Sequence, residues 1–448
     1  MASFYSLSSL MLVTLAILVI LFIDPAISTS RKALHHQKVQ TGFRATLKHV
    51  DSGKNLTKFE RIQRGVKRGQ HRLQRLSAMA TAATSNSEVE APVHAGTGEF
   101  LLNLAIGTPP EAFSAILDTG SDLIWTQCKP CTQCYSQPTP IFDPKKSSSF
   151  SKLSCKSQLC DALPASTCAS DGCEYIYQYG DYSVTQGVMG SETFTFGDSD
   201  DKVSIPNIGF GCGSDNEGDG FSQGSGLVGL GRGPLSLVSQ LKEPKFSYCL
   251  TSMDDSKTST ILLGSLASVN STHKSITTTL TLNPSQPSFY YLSLEGISVG
   301  DTRLDIDKST FELQDDGTGG LIIDSGTTLT YIDGNAFDAL KKEFTSQTKL
   351  PVDNSGVSGL DLCFTLPSDT TDIEVPKLVF HFDGGDLDLP GENYIVADSS
   401  TGLLCLAMGS SGSSGMSIFG NIQQQNFLVV HDLVKESLSF IPTQCDTL

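Results

Sequence analysis

Residues 117–122 read LDTGSD, and residues 323–328 read IDSGTT. Each is an Asp-Thr/Ser-Gly turn entered by an apolar run. One such turn alone is ordinary: Asp satisfies nearby amides and Gly supplies a backbone conformation that a Cβ opposes. Here the surroundings repeat as well. EFLLNLAIG reads as a strand, TPPEAF as a turn, and SAILDTG as a strand that ends at Asp118. The second copy, TGGLIIDSGTTLTYID, runs an apolar strand into Asp324 and leaves by another. Downstream of each copy an apolar pair is followed by Gly, in GLVGLG (226–231) and in SIFGNI (417–422). This weak twofold repeat implies two related lobes.

Two carboxylates in apolar surroundings are costly unless they act on one another. If the repeat axis brings Asp118 and Asp324 face to face, both cannot ionise together, and they share one proton with their pKa values pushed apart. Such a pair can hold a water, take its proton and protonate a departing group. The Thr119 and Ser325 hydroxyls are placed to hydrogen-bond across the lobes, while Gly120 and Gly326 let the backbone come close.

The rest of the chain sets the context. It has 448 residues, enough for two lobes with real cores, and 39% hydrophobic against 18% charged residues is globular. Short runs rich in Val, Ile, Leu and Phe, with abundant Gly, Ser and Thr, favour many strands. The best helix signal in this body is GNAFDALKKEFTSQT (334–348). Leu10 to Ile23 form an apolar run too short for an ordinary span, and Ala26 to Ser28 offer small residues for cleavage, so residues 1–28 read as a signal peptide rather than an anchor. Cys445 stands fourth from the end in CDTL, but Asp446 and Thr447 occupy positions where a prenylation signal needs aliphatic residues.

Charge is uneven. Thirteen of the 31 Lys and Arg residues lie between Arg31 and Arg75, whereas only five of the 48 acids precede residue 91, leaving residues 91–448 at about −25. A surface so acidic repels nucleic acid. Residues 29–80 form a basic segment in which Leu56, Phe59, Ile62, Val66, Leu73 and Leu76 fall near helical spacing. By itself it could pass for a membrane or nucleic-acid arm; between a signal peptide and an acidic body it reads as a removable cover, a pro-segment ending between 78 and 95. Residues 81–98 are a polar, small-residue linker. Twelve cysteines behind a signal peptide read as disulfides, and CKPCTQC (Cys128, Cys131, Cys134) does not read as part of an iron–sulfur run, since such ligands belong to reducing compartments.

On these residues the chain resembles the pepsin-like aspartic peptidases of plants, in their nepenthesin branch. DTGSDLIW is similar to the family's first catalytic loop and implies Asp118 as one catalytic acid, Ser121 as its support and Trp125 behind a flap. DSGTT is similar to the second loop, implying Asp324 with Thr327 as the counterpart of Ser121. YQYGDYSVTQG resembles the flap and makes Tyr179 the residue that hydrogen-bonds Trp125, with a departure at Tyr182, where members commonly have Gly. Cys128 to Cys173 match a cysteine-rich insertion. The family pattern implies the pairs Cys128–Cys131, Cys134–Cys212, Cys155–Cys173, Cys160–Cys168, Cys249–Cys445 and Cys363–Cys405. It further implies an all-β, two-lobed fold with the site between lobes 96–265 and 266–448. The expected activity is a secreted acid endopeptidase acting on proteins and peptides, a monomer without metal or cofactor, inhibited by its own pro-segment. Asn55 and Asn270 are sequons for glycosylation.

Other readings of single features are weaker. Tyr179 and Trp125 alone would serve as core aromatics. GFSQG (220–224) matches a serine-hydrolase elbow, yet no apolar strand enters it. No His-Glu-x-x-His occurs. Glycosidase acids have no reason to lie in two matching Asp-Thr/Ser-Gly loops. The remaining competitor is an inactive relative that binds proteins as an inhibitor; such relatives have a degraded Asp loop, and both loops are whole here.

Overall fold

The computed structural model describes residues 42–84, 99–169, 172–179, 183–197, 202–218, 221–241, 243–253, 258–267, 275–367, 373–412 and 415–448, with no side chains described for 81–84. The apolar run 10–23, the sequon at Asn270 and the flap tip 180–182 with Tyr182 lie outside these residues. Asn55 is exposed. No helix of the described residues is long and apolar enough to cross a membrane.

The elements that carry the two turns form as their patterns require. We label β1 (Phe43–His49), α1 (Lys58–Thr84), β2 (Phe100–Ile106), β3 (Glu111–Asp118), β4 (Trp125–Gln127), β5 (Gly226–Gly229), β6 (Leu321–Ile323), β7 (Thr330–Ile332) and β8 (Ser417–Phe419). In β2, Phe100, Leu102, Leu104 and Ile106 are buried at the period of two that a half-covered strand needs. Through the turn 107–110, β2 pairs antiparallel with β3, from Leu101↔Ile116 to Ile106↔Glu111. β3 then runs parallel to β5, with Leu117↔Val228 and Asp118↔Gly229, and β4 returns antiparallel along β5, with Trp125↔Leu227. The second half repeats the arrangement. β6 is parallel to β8, with Ile323↔Phe419, and β7 meets β8 antiparallel at Tyr331↔Ile418. The echoes GLVGLG and SIFGNI are therefore the middle strands that hold each Asp loop in place. All four residues of β5 and all three of β8 are buried, as expected of strands covered on both faces.

The halves share a sheet built from Lys245–Cys249, Ser259–Leu263, Phe427–Asp432 and Ser437–Pro442. β1 joins it, pairing Phe43↔Leu263 through Leu47↔Ser259, and also touches β2 at Leu47↔Leu102. α1 starts at a capping box: Thr57 Oγ1 accepts from Glu60 N at 3.1 Å, and Glu60 Oε2 accepts from Thr57 N at 2.8 Å. Phe59, Ile62, Val66, Leu73, Leu76 and Ala80 form its buried stripe, packed in one cluster with Phe289, Tyr331, Met416 and Ile422. The helix continues to Thr84, past the expected linker start at 81, because Ala and Met are good helix formers. The helix expected at 334–348 spans Gly334–Gln347, capped by Asp333, with Ala336, Phe337, Leu340 and Phe344 facing the core.

All twelve cysteines are bridged, but four of the six implied pairs are exchanged. Cys249–Cys445 and Cys363–Cys405 are present. Instead of Cys128–Cys131 and Cys134–Cys212, the structure joins Cys128–Cys212 and Cys131–Cys134. The cause is register: the strand Val203–Glu217 lies parallel to β4 with Thr126↔Cys212, which sets Cys128 beside Cys212 and leaves Cys131 and Cys134 to close their own loop. Instead of Cys155–Cys173 and Cys160–Cys168, it joins Cys160–Cys173 and Cys155–Cys168. Here burial sorts the partners. Cys160 and Cys173 are both buried, whereas Cys155 is half-buried and Cys168 exposed.

Candidate active site

The two turns meet at the junction of the halves. Thr119 Oγ1 donates to Asp324 Oδ1 at 2.9 Å and accepts from Ser325 N at 3.2 Å, and the Thr119 and Ser325 hydroxyls lie 3.3 Å apart. Each Asp is held by its own loop in the same way. Gly120 N and Gly326 N donate to Asp118 Oδ1 and Asp324 Oδ1 at 3.0 and 3.1 Å. Ser121 and Thr327 hydroxyls donate to Asp118 Oδ2 and Asp324 Oδ2, both at 2.5 Å. Asp118 and Asp324 are each 1% exposed. Thr119, Gly120, Ser121, Ser325, Gly326 and Thr327 all lie at this junction, around the two carboxyls.

Between the carboxyls lies Arg72 of α1. Its Nη2 donates to Asp118 Oδ1 at 2.5 Å and to Asp324 Oδ1 at 2.7 Å, and its Nε donates to Asp324 Oδ2 at 2.5 Å. Arg75 Nη2 adds a bond to Asp118 Oδ2 at 3.1 Å. The flat guanidinium fork suits this task, since it can face two carboxylates at once. It reaches them only because the loops carry glycine. A Cβ on Gly326 would stand 2.5 Å from Arg72 Cζ, and one on Gly120 3.1 Å from Arg72 Nη2. Burial by itself raises both carboxyl pKa values. Arg72 outweighs it at both, joined by Arg75 at Asp118, so both groups are held below the usual carboxylate range. Arg72 is held protonated by the same pair.

A second ionic cluster sits behind the second loop. Thr328 Oγ1 donates to Glu99 Oε1 at 2.9 Å. Arg68 of α1 pairs with Glu99 at 2.6 Å and with Asp51 at 2.8 Å, and His49 of β1 contacts Glu99 at 2.9 Å. Burial raises the Glu99 pKa, but Arg68 and His49 prevail and hold it well below the usual range.

On the other flank Trp125 Nε1 donates to Tyr179 OH at 2.8 Å, the pairing expected of a flap. Phe221 packs edge-on against Trp125 and Tyr179, with centroids 4.7 and 5.4 Å away. Phe221 of the GFSQG stretch thus serves in the aromatic wall. The Arg75 guanidinium carbon lies 5.3 Å from the centre of the Tyr179 ring, within cation–π range. Sequence reasoning missed Arg68, Arg72, Arg75 and Glu99 as individuals. Their signal was collective: a basic segment facing an acidic body.

Two buried Asp loops, matched in sequence and in hydrogen bonding and tied to one another through Thr119, define the class: the pepsin-like aspartic endopeptidases. The family models described as xylanase inhibitor N-terminal and xylanase inhibitor C-terminal match residues 100–265 and 289–442. The chain is 58% identical to aspartic proteinase nepenthesin-1 of Nepenthes gracilis, over 96% of each sequence. It is 54% identical to nepenthesin-2 of the same plant, over 94% of this chain and 95% of the relative. In fold it is similar to the crystal structure of edgp, with a TM-score of 0.63 at 19% identity, covering 81% of this chain and 94% of that one. The chain belongs to the plant nepenthesin branch of the pepsin-like aspartic endopeptidases.

Proposed function

We propose that the chain is the secreted, self-inhibited precursor of an acid peptidase whose freed Asp118 and Asp324 activate water against peptide bonds. The observation that carries this reading is Arg72, which occupies both carboxyls at once. A cation in that position replaces the attacking water and the substrate carbonyl together. α1 supplies it from the basic segment, and β1 ties the same segment to the shared sheet. The apolar run before residue 24 supports entry to the secretory route.

Once α1 leaves, the dyad loses its cation, and mutual repulsion then favours one shared proton. The ionised Asp takes a proton from water as the water attacks. The protonated Asp polarises the carbonyl, and the proton gained passes to the leaving amine. No acyl-enzyme forms. Acid starts the process: other carboxylates of the acidic body lose charge near pH ~4 and weaken the attraction for the basic segment. Asp118, Asp324 and Glu99, held below the usual range, let go of its arginines last.

The inhibitor reading, suggested by the description of the matching family models, requires a broken site, whereas Asp118, Ser121, Asp324 and Thr327 form both loops in full. The deciding experiment uses acid-activated protein and a quenched peptide. Wild-type cleavage should peak in acid and vanish towards neutrality. Asp118→Asn and Asp324→Asn should each lower kcat/KM by about a hundredfold or more, and the double variant should be little worse than either. Retention of more than about a tenth of the activity, a loss under roughly 1.4 kcal/mol, would contradict a shared-proton dyad.

A further inference from the structure

Asp122 ends the first loop and takes no part in the dyad, yet it is buried. Its carboxyl lies in a cradle shaped by two glycines. A Cβ on Gly231 would stand 2.3 Å from Oδ1, and one on Gly233 would stand 2.1 Å from Oδ2. Gly233 N donates to Oδ1 at 2.9 Å, and the Ser288 hydroxyl donates to Oδ2. Ser288 belongs to the second half of the chain, and its carbonyl accepts from Arg232 N at 3.1 Å.

The same turn supports the catalytic loop. Leu230 N donates to Asp118 O and Gly231 N to Ser121 O, both at 2.8 Å. Ser121 in turn holds Asp118 Oδ2. The first loop, its supporting turn and the opposite half therefore converge on one carboxyl. Among the described residues no cation pairs with it: Arg232, in the same turn, is occupied by Glu436 and by the carbonyl of Thr281. The other charged or titratable groups around it are Asp118, Tyr177 and Tyr290. A buried Asp that merely closes a turn needs neither a partner from the other half nor a cradle of two glycines.

We propose that Asp122 is a positioning residue for peptide hydrolysis: it locks the first catalytic loop to the 230–233 turn and to Ser288, and so keeps Ser121 on Asp118 and the two halves in register. This rests on the peptidase reading above. Burial raises the Asp122 pKa, and the neighbouring Asp118 charge adds to the rise against the Ser288 and Gly233 hydrogen bonds. This rise favours the neutral form in acid, so that a second charge in the loop is disfavoured there. As pH rises through its elevated pKa it ionises without a cation, and the stability it contributes in acid is lost.

The test compares Asp122→Ala, Asp122→Asn and Ser288→Ala in the acid-activated enzyme. Active sites are counted by titration with a tight peptide inhibitor, so that unfolded protein is excluded. Asp122→Ala should lower kcat about tenfold with KM within about twofold, because loop geometry is lost and the substrate cleft is not. Asp122→Asn keeps an acceptor for Gly233 and restores the bond to Ser288 in the reverse sense, with the amide donating to the hydroxyl oxygen, and should recover most of that loss. Ser288→Ala, which removes only the clamp from the opposite half, should fall between them. In the stability arm, read by fluorescence against pH, Asp122→Asn should move the neutral-side unfolding midpoint up by about one pH unit. The proposal is overturned if Asp122→Ala keeps kcat within about twofold of wild type, or if Asn is no better than Ala. An inactive wild type would sink the peptidase reading instead, and the stability arm would still decide whether Asp122 titrates as the clamp.

Discussion

The loops 118–122 and 324–328 start from nearly the same sequence and the same three-strand support, yet their surroundings differ at two equivalent positions. Asp122 of the first corresponds to Thr328 of the second. The first loop carries its own buried carboxyl, clamped by Ser288; the second borrows one, Glu99, whose partners Arg68 and His49 come from the basic segment. Trp125 likewise corresponds to Tyr331. Trp125 is tied to Tyr179, whereas the Tyr331 hydroxyl is buried without a hydrogen-bond partner, and a Cβ on Gly69 of α1 would lie 3.2 Å from it. The first loop is thus finished by residues of the body alone, while the second is finished by Glu99 and by the segment that we propose is removed. Symmetry holds at the two matched carboxyls and is broken where one side meets Tyr179 and the other the basic segment.

The largest test of this asymmetry is Arg72, the one side chain that bonds both loops. Removing one partner from a buried ion pair costs about 3–5 kcal/mol. Arg72→Ala precursor should therefore lose its N-terminal segment at a pH closer to neutral than wild type, as read by intact mass over a pH series. Arg75→Ala, which frees Asp118 alone, should shift that pH less. Equal shifts would show that the two loops are gripped separately.

His431 probes what the loops share. It stacks on Phe246 at 4.2 Å, beside Tyr248 and Tyr290. Tyr248 OH donates to Gln424 Oε1 beneath the second loop, and Tyr290 OH donates to Leu230 O beneath the first, each at 2.5 Å. Burial pushes the His431 pKa down from 6.5 to about 3, so the fold favours the neutral ring. That contribution is complete above the unfolded value near 6.5 and is lost as pH falls towards 3. His431→Phe should relieve about 2–4 kcal/mol of acid destabilisation, the aromatic faces offsetting part of the charge cost. Thermal midpoints at pH ~7 and ~3 measure it. An unchanged difference between the two would remove His431 from the account.

The smallest effect expected is a comparison of Ser121→Ala with Thr327→Ala. Each deletes one hydroxyl bond to a catalytic carboxyl, worth about 1.5–3 kcal/mol when the acceptor is charged. Because one Asp of the dyad is protonated at any moment, the losses in kcat should differ, by about three- to tenfold, and the larger loss marks the Asp that stays ionised. Equal losses would mean that the proton is shared evenly.

The loops were legible because their chemistry is local. Asp, Gly and the third-position hydroxyl act within one turn, so Asp118, Ser121, Asp324 and Thr327 stand in the sequence as they stand in space. Trp125 and Tyr179 were legible only through resemblance, since their hydrogen bond joins strands far apart. The disulfides show the limit. A C-x2-C-x2-C run leaves the partner of Cys212 open, and only the register of β4 against Val203–Glu217 selects Cys128.

The sequence by itself determined the two-lobed class, the paired Asp turns and the presence of a basic cover on an acidic body, because patterning, turn chemistry and net charge are properties of short segments. The tertiary structure alone decided which of seven Lys and Arg residues on α1 enters the dyad. Helix register, set by the stripe from Phe59 to Leu76 docking on the second half, turns Arg72 inwards over Gly120 and Gly326. A long-range packing of one helix face makes that choice, and neighbouring residues along the chain carry no record of it.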